Sequence, residues 1–271
     1  MAADNQPPDC GFLYVATGRK FLQESINSAQ SVRKHMPTVA TCCFTDEVES
    51  ARPYFDIVLP VENPTGTSFD KMGPLARTPF KRTIFVDTDT LFLSSMMDVF
   101  DLLFHFEIAA VPDPFWCEYA GIPPCFMHLN TGLVAYQNTP RTKAFFDCWI
   151  MEYQREFEEA GRPKDMQDQP SFQKILFYSD LRLYLLPQEY NLRLICPQLV
   201  RVWARAKMLH ARHHDLADLG DRLNAHNDVR VIWPNYRHFL RGNIFMVGRK
   251  QDALLRAWAA LPRMLLRLVL R

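Results

Sequence analysis

An excess of charge of either sign is missing from this 271-residue chain: 31 Lys and Arg stand against 30 Asp and Glu, a formal net charge of +1. A chain so balanced has no general attraction for nucleic-acid phosphates, so a nucleic-acid partner is not expected. Seven cysteines (Cys10, Cys42, Cys43, Cys117, Cys125, Cys148, Cys196) are an odd number and include no C-x-x-C pair. That spacing writes neither a disulfide framework nor a zinc site and fits a reducing cytosol. Nowhere do eighteen apolar residues follow one another, so no membrane span is expected. The opening MAADNQPPDC has neither a basic n-region nor an apolar stretch and does not read as a signal peptide. Internal repeats, low-complexity segments and an interdomain linker are also missing, which leaves a single domain over residues 1–248 ahead of a distinctive tail.

What is present suits a folded core, with 48% hydrophobic and 23% charged residues. Apolar runs rich in β-formers predict strands at Gly11–Ala16, Val39–Phe44, Asp56–Val61, Thr83–Val86 and Ile108–Val111. Between them, residues 20–34 show helical spacing, and residues 68–77 predict a second helix stopped near Pro79. Residues 126–137 predict a strand broken at Asn130-Thr131-Gly132, and 141–159 a long helix; beyond Gln198 the periodicity fades. Strands alternating with helices imply an α/β fold, a mostly parallel sheet covered by helices on both faces. Ligands of such sheets collect at the carboxyl ends of the strands. Those ends carry Ala16-Thr17-Gly18, Thr45-Asp46, Asp87-Thr88-Asp89 and Asp113.

The stretch TIFVDTDTLFL, residues 83–93, sets two carboxylates at the mouth of an apolar strand. Nineteen aspartates in 271 residues would give about one Asp-x-Asp by chance, so the pair counts only through its context. Two ionised carboxylates this close to apolar residues repel one another and lose hydration unless a cation joins them. Oxygen ligands select hard divalent ions, Mg²⁺ or Mn²⁺, whose remaining positions take water and substrate phosphates. A diphosphate is then the natural ligand. Haloacid-dehalogenase-like phosphatases also carry such a pair, as D-x-D-G-T on a first strand. Here Thr90-Leu91 replaces Gly-Thr, and the strand is the fourth. A sugar-nucleotide pyrophosphorylase would need a Gly-rich phosphate loop near the start, and VATGRK has one Gly.

From Phe12 to about His210 the chain resembles glycosyltransferase family 8, retaining enzymes of the GT-A fold. The landmarks come in the family's order: Ala16-Thr17 at a strand end, Lys71, the Asp87/Asp89 pair after KRTIFV, Asp113 after AAV, Asn130-Thr131-Gly132, Asp168-Gln169, the LPQEYN of residues 186–191, and MLH ending at His210. The resemblance implies a single-domain enzyme with a Rossmann-like nucleotide-binding half. Its expected reaction moves a hexose from a nucleotide-diphospho sugar, a UDP-sugar foremost, to a glycan or lipid-linked acceptor. It implies Mn²⁺ (or Mg²⁺) on Asp87, Asp89 and His210, donor contacts from Ala16, Thr17 and Lys71, and Asp113, Asn130, Gly132, Asp168 and Gln169 around the transferred sugar. Asp168 and Gln169 are the catalytic candidates. Where the family commonly continues its His with Gly and then Lys-Pro-Trp, this chain reads HARHHDLADLG, and Arg212 is the candidate for the missing phosphate contact. A degenerate GT-A domain that binds sugar nucleotide without transfer is the competing reading.

Plainer roles compete for each residue: a core histidine for His210, a solvated or salt-bridged lysine for Lys71, and a helix N-cap for Asp168, with Pro170 at a first-turn position. The tail, residues 249–271, holds six basic residues and one acid, leaving 25 basic against 29 acidic residues in the rest. Arg256, Arg263, Arg267 and Arg271 gather on one side of a helical projection, with Leu254, Leu255, Trp258, Leu261, Leu265, Leu266 and Val269 over much of the remainder. Such a basic amphipathic helix suits the surface of an anionic membrane, or packing on the protein itself or on a second subunit of a homo-oligomer. The expected location is the cytoplasm, peripheral to the inner face of a membrane.

Overall fold

A computed structural model describes residues 8–113, 119, 121–163, 166–212, 215–233 and 243–247. The tail helix expected over 249–271 lies outside the described residues. The chain opens with β1 (Cys10–Ala16), α1 (Arg19–His35), β2 (Ala40–Thr45), α2 (Val48–Ala51) and β3 (Ile57–Pro60). A 3₁₀ turn (Ser68–Lys71) runs into α3 (Met72–Ala76), then β4 (Arg82–Val86), β5 (Thr90–Phe92), α4 (Met97–Leu102) and β6 (Ile108–Pro112). Next come β7 (Leu129–Gln137), α5 (Pro140–Glu159), α6 (Gln169–Tyr178) and β8 (Leu183–Leu185). The later part holds β9 (Leu192–Arg193), β10 (Gln198–Val200), β11 (Met208–His210), α7 (Leu216–Asn224), β12 (Val229–Trp233) and β13 (Asn243–Val247).

Seven strands form the central sheet in the order β3-β2-β1-β4-β7-β6-β8. It is mainly parallel, with β7 running against both β4 and β6. Side chains alternate across it as strand geometry requires. Phe12, Tyr14, Ile84, Val86, Leu133 and Ala135 pack on one face with Leu22, Ile26, Ala29 and Val32 of α1. Leu13, Phe85, Val134 and Tyr136 pack on the other with Phe145, Phe146 and Trp149 of α5 and Phe172 of α6. Both faces are therefore dry, which is why these strands read as nearly unbroken apolar runs. The long helix α5 starts where Thr139 accepts a hydrogen bond from the Thr142 amide ahead of Pro140, a capping arrangement with proline in the first turn.

Two expectations change. The single helix over 68–77 is a 3₁₀ turn followed by a short α-helix, because Pro74 has no amide proton to complete a bond back to Asp70. The break at Asn130-Thr131-Gly132 is instead a shift of register within a continuous β7. Ala110 faces Val134 while the next residue of β6, Val111, faces Asn130, so residues 131–133 bulge away from β6, while Leu133 keeps its place opposite Val86 of β4.

The weakly periodic later part builds two small sheets, β10-β12-β13 and β5-β11-β9. The second positions the site, since β11 pairs antiparallel to β5 and sets His210 opposite Thr90. No helix among the described residues is long and apolar enough to cross a membrane.

Candidate active site

Strand β4 ends at Val86, the chain turns through Asp87, Thr88 and Asp89, and β5 starts at Thr90. Helix α1 holds that turn from below. Ser28 Oγ and Thr90 Oγ1 are 2.7 Å apart, Thr90 Oγ1 donates to the Asp87 carbonyl at 3.0 Å, and Ser31 Oγ accepts from the Phe92 amide at 2.9 Å. From the other side the Ala211 amide donates to the Asp89 carbonyl at 2.9 Å. These bonds hold the backbone that carries the two carboxylates, and the pairing of β11 with β5 holds that of His210.

His210 Nε2 lies 3.4 Å from Asp89 Oδ1 and 3.7 Å from Asp87 Oδ2. One ligand atom from each of the three residues falls within 4.8 Å of the others, and among the described residues this is the His, Cys, Asp and Glu cluster able to hold a metal ion. The neighbouring backbone is shaped for it. A Cβ on Gly132 would stand 2.3 Å from His210 Cε1, 2.8 Å from Asp87 Oδ2 and 2.8 Å from Asn130 Oδ1. Two carboxylates and an imidazole form a donor set that suits Mn²⁺ or Mg²⁺, so the residues present fit a divalent cation.

Side-chain cations already answer part of the charge. Lys71 Nζ is 3.5 Å from Asp87 Oδ1 and 2.9 Å from Asp168 Oδ2, and Arg212 Nη1 is 3.6 Å from Asp89 Oδ2. Burial alone would lower the Lys71 ammonium, but Asp168 and Asp87 outweigh it and raise it above its ordinary value. For Asp89 burial acts to raise the carboxyl, while the hydrogen bond and charge of a protonated His210 and the charge of Arg212 bring it down to about 2. Arg212 is itself steered by Glu24 of α1, which accepts from Arg212 Nε at 3.0 Å and from the Thr88 hydroxyl at 2.8 Å. Phe21 lies beneath the Arg212 guanidinium, 5.6 Å from it.

A cleft of about 430 Å³ opens over this turn, lined by Thr17, Lys71, Asp87, Asp89, Asn130, Gly132, Asp168, Gln169, His210 and Arg212 among others. That brings ten of the twelve residues expected from the sequence to one wall. The other two stand behind it. Ala16 is buried at the end of β1 between Val15 and Thr17, which do line the cleft. Asp113 is buried at the end of β6, where its Oδ2 accepts from Asn130 Nδ2 and Gln169 Nε2, both at 3.0 Å, and from Arg193 Nη1 at 2.5 Å. Thr17 donates to Asp70, whose other oxygen is held by Thr65.

Asp168 occupies the N-terminal position of α6 but makes no capping hydrogen bond through its side chain. Its carboxylate is committed to Lys71, while its carbonyl is held by Trp149 Nε1 at 3.3 Å. The plain capping role is therefore corrected: a helical φ and ψ of −84° and −22° turn the carboxylate away from the amides it would cap. Nor is His210 merely a core residue, given the two carboxylates it faces. Sequence reasoning missed Asn191 and Arg193 as site residues, although the LPQEYN landmark ends on Asn191. Asn191 Oδ1 is 3.0 Å from His210 Nδ1, and Arg193 lines the cleft. The parallel pairing of β9 with β11, Arg193 beside His210, brings them there.

Fold and site together define a GT-A type α/β domain with an Asp-x-Asp turn at its ligand-binding edge. The family model for nucleotide-diphospho-sugar transferases matches residues 81–220, which includes that turn and His210, and the chain belongs to this family. Among curated proteins it is similar to glycogenin-1 of Mus musculus, 29% identical over 126 residues, 46% of this chain and 34% of that one. It is also similar to human glycogenin-2, 24% identical over 166 residues, 54% of this chain and 31% of that one. The chain thus spans about a third of the length of these relatives. Among solved structures, the galactosyltransferase LgtC in complex with donor and acceptor sugar analogs superposes with a TM-score of 0.50 at 15% identity, over 68% of this chain and 75% of that one. Mouse xyloside xylosyltransferase 1 gives 0.51 at 12% identity, over 75% and 98%. At these identities the likeness is one of fold.

Proposed function

We propose that the protein is a metal-dependent, retaining glycosyltransferase that moves a hexose from a nucleotide-diphospho sugar, foremost a UDP-sugar, to a glycan or lipid-linked acceptor. The observation that carries the reading is the Asp87, Asp89 and His210 cluster at the ligand-binding edge of a sheet whose family handles nucleotide-diphospho sugars. These three residues would hold Mn²⁺ or Mg²⁺, which when bound supplies Lewis-acid charge to the departing diphosphate.

This chain's own residues do the rest. The main chain at Thr17, backed by the buried Ala16, receives the nucleoside, and Arg212, held by Glu24, reaches the diphosphate with a fork suited to phosphate oxygens. Asn130, Asp168 and Gln169 surround the sugar, with Asp113 fixing two of them from behind. Breaking the anomeric bond leaves an oxocarbenium-like ring. The Asp168 carboxylate stabilises that ring or attacks it, with Gln169 beside it. Lys71 ties Asp168 to Asp87 and so couples the sugar end of the cleft to the phosphate end. The partners proposed with this activity are the acceptor glycan or lipid, an anionic membrane surface met by residues 249–271, and a second copy of the chain. The setting proposed is cytosolic.

The test is to incubate the protein with Mn²⁺ and a panel of sugar nucleotides and follow slow hydrolysis of each donor. One donor should be consumed, and chelator should stop it. A panel left intact with metal present, or consumption that ignores chelator, would refute the reading.

A further inference from the structure

The amide orientation of a buried asparagine and the proton position of a histidine ring are ordinarily assigned rather than seen. Here a main-chain group decides both. The Gly132 amide can only donate, and it donates to Asn130 Oδ1 at 3.0 Å, so that atom is the carbonyl oxygen. The same oxygen lies 2.9 Å from Asn191, which must therefore present its NH₂ to it. Asn191 then turns its own oxygen to His210 Nδ1, 3.0 Å away, and an oxygen at that distance accepts a proton from the ring. With Nδ1 protonated, the neutral imidazole keeps its lone pair on Nε2, the nitrogen that faces Asp87 and Asp89. Asn130 is held from its other end as well, since its NH₂ donates to Asp113 Oδ2 and Gln169 Oε1. Asn130, Asn191 and His210 are all buried, so water does not compete with these bonds.

We propose that Asn191 is a positioning residue that fixes His210 in its Nδ1-protonated tautomer, reading the direction from the Gly132 amide through Asn130 and leaving Nε2 free to bind the metal. The inference deepens the metal reading given above and rests on it for its purpose, though not for its geometry. Partners that orient a ligating histidine typically change metal affinity by about 10- to 100-fold when removed.

Two measurements on the full chain test it. Long-range ¹H–¹⁵N NMR of the metal-free protein at alkaline pH, where the ring carries one proton, with His210 assigned by comparison with His210→Ala, reads the tautomer directly. Mn²⁺ affinity, from the EPR signal of free Mn²⁺, reads its consequence. Wild type should show Nδ1 protonated. Asn191→Leu should lose that preference and about 10- to 100-fold in Mn²⁺ affinity. Asn191→Asp keeps an oxygen for the Nδ1 proton but gives up the NH₂ that Asn130 Oδ1 accepts, so it should keep the Nδ1 proton and bind Mn²⁺ more tightly than Asn191→Leu, at a cost in stability. A residue that only packs would lose affinity equally in both variants. Should Asn191→Leu fail to fold, the wild-type and Asn191→Asp spectra still decide. An Nε2-protonated His210 in wild type overturns the inference, and so does an Asn191→Leu protein that binds Mn²⁺ within twofold of wild type. Wild type that binds no Mn²⁺ at all, yet shows the Nδ1 proton, removes the metal reading and leaves the relay in place.

Discussion

The two ends of the cleft are built differently. Around Asp113 the polar groups hold one another: its fully buried carboxylate takes three donors at 2.5–3.0 Å among the described residues, and Asn130 uses both ends of its amide. Around Asp87 and Asp89 the Lys71, Arg212 and His210 nitrogens stand at 3.4–3.7 Å, longer than charge-assisted hydrogen bonds prefer, and the Asp87 side chain is 31% exposed. The first end has satisfied itself during folding, and the second keeps ligand capacity in reserve. A buried polar network is rigid when complete. The sugar end is thus a fixed template, whereas the phosphate end is a set of charges completed by what binds.

The sharpest way to separate the ends is to neutralise a carboxylate at each. Asp87→Asn or Asp89→Asn should cut transfer by about a thousandfold, ~4 kcal/mol of barrier, and abolish Mn²⁺ binding, while thermal melting shifts by only a few degrees. Full activity in either variant, with chelator-treated wild type also active, would remove the metal from the mechanism. Asp113→Ala should instead fall on stability as well as on transfer. It removes the buried carboxylate that Arg193, Asn130 and Gln169 share, and should cost about 3 kcal/mol of stability, read by urea unfolding. Unchanged stability would mean that the sugar end is no tighter than the phosphate end.

The seam between the ends is Gly132. Its amide serves the closed network, and the space where a Cβ would be lies against His210 and Asp87. Gly132→Ala should therefore disturb both ends at once, with about 2 kcal/mol of lost stability from overpacking and a weaker Mn²⁺ site. The contact is with ring and carboxylate atoms packed from several sides, so it cannot be relieved by one flexible side chain. Wild-type melting and Mn²⁺ affinity in this variant would show that the site has slack the geometry denies.

How much of this was legible in the chain follows from where the signals lie. The strands β1, β2 and β4 and the helices α1 and α5 fall within a residue or two of their expected bounds, because sheets buried on both faces and amphipathic helices write strong periodicity. The Asp-x-Asp turn was visible because it interrupts such a run. The small sheets of the later part were not, since β9, β10 and β11 have only two or three residues each, too few for a period. Asn191 and Arg193 escaped for a different reason. They reach Asn130 and Asp113 across 61 and 80 residues of chain, and no local pattern encodes such a pairing. Asp113 was expected to touch the sugar; its place behind Asn130 and Gln169 depends on the depth of a strand end, which only the folded sheet defines.

The smallest effect expected from this contrast is in acid. Asp89 titrates at about 2 in the folded protein against an ordinary value of 3.8, so the folded state holds this carboxylate charged more firmly than the unfolded chain does. A depressed carboxyl stabilises the fold above its unfolded value and loses that contribution as pH falls through its folded value. The window is therefore from about 4 down to about 2, and the contribution lost is under about 2 kcal/mol. Asp89→Asn has no such proton to take up. In the metal-free proteins, urea midpoints of wild type should fall more steeply than those of Asp89→Asn between pH 4 and pH 2, and the two curves should run parallel above pH 5. Parallel curves throughout would mean that His210 and Arg212 do not grip Asp89 in solution. The phosphate end would then be looser than the 3.4 Å and 3.6 Å separations indicate, and its charges would be ordered only by the ligand.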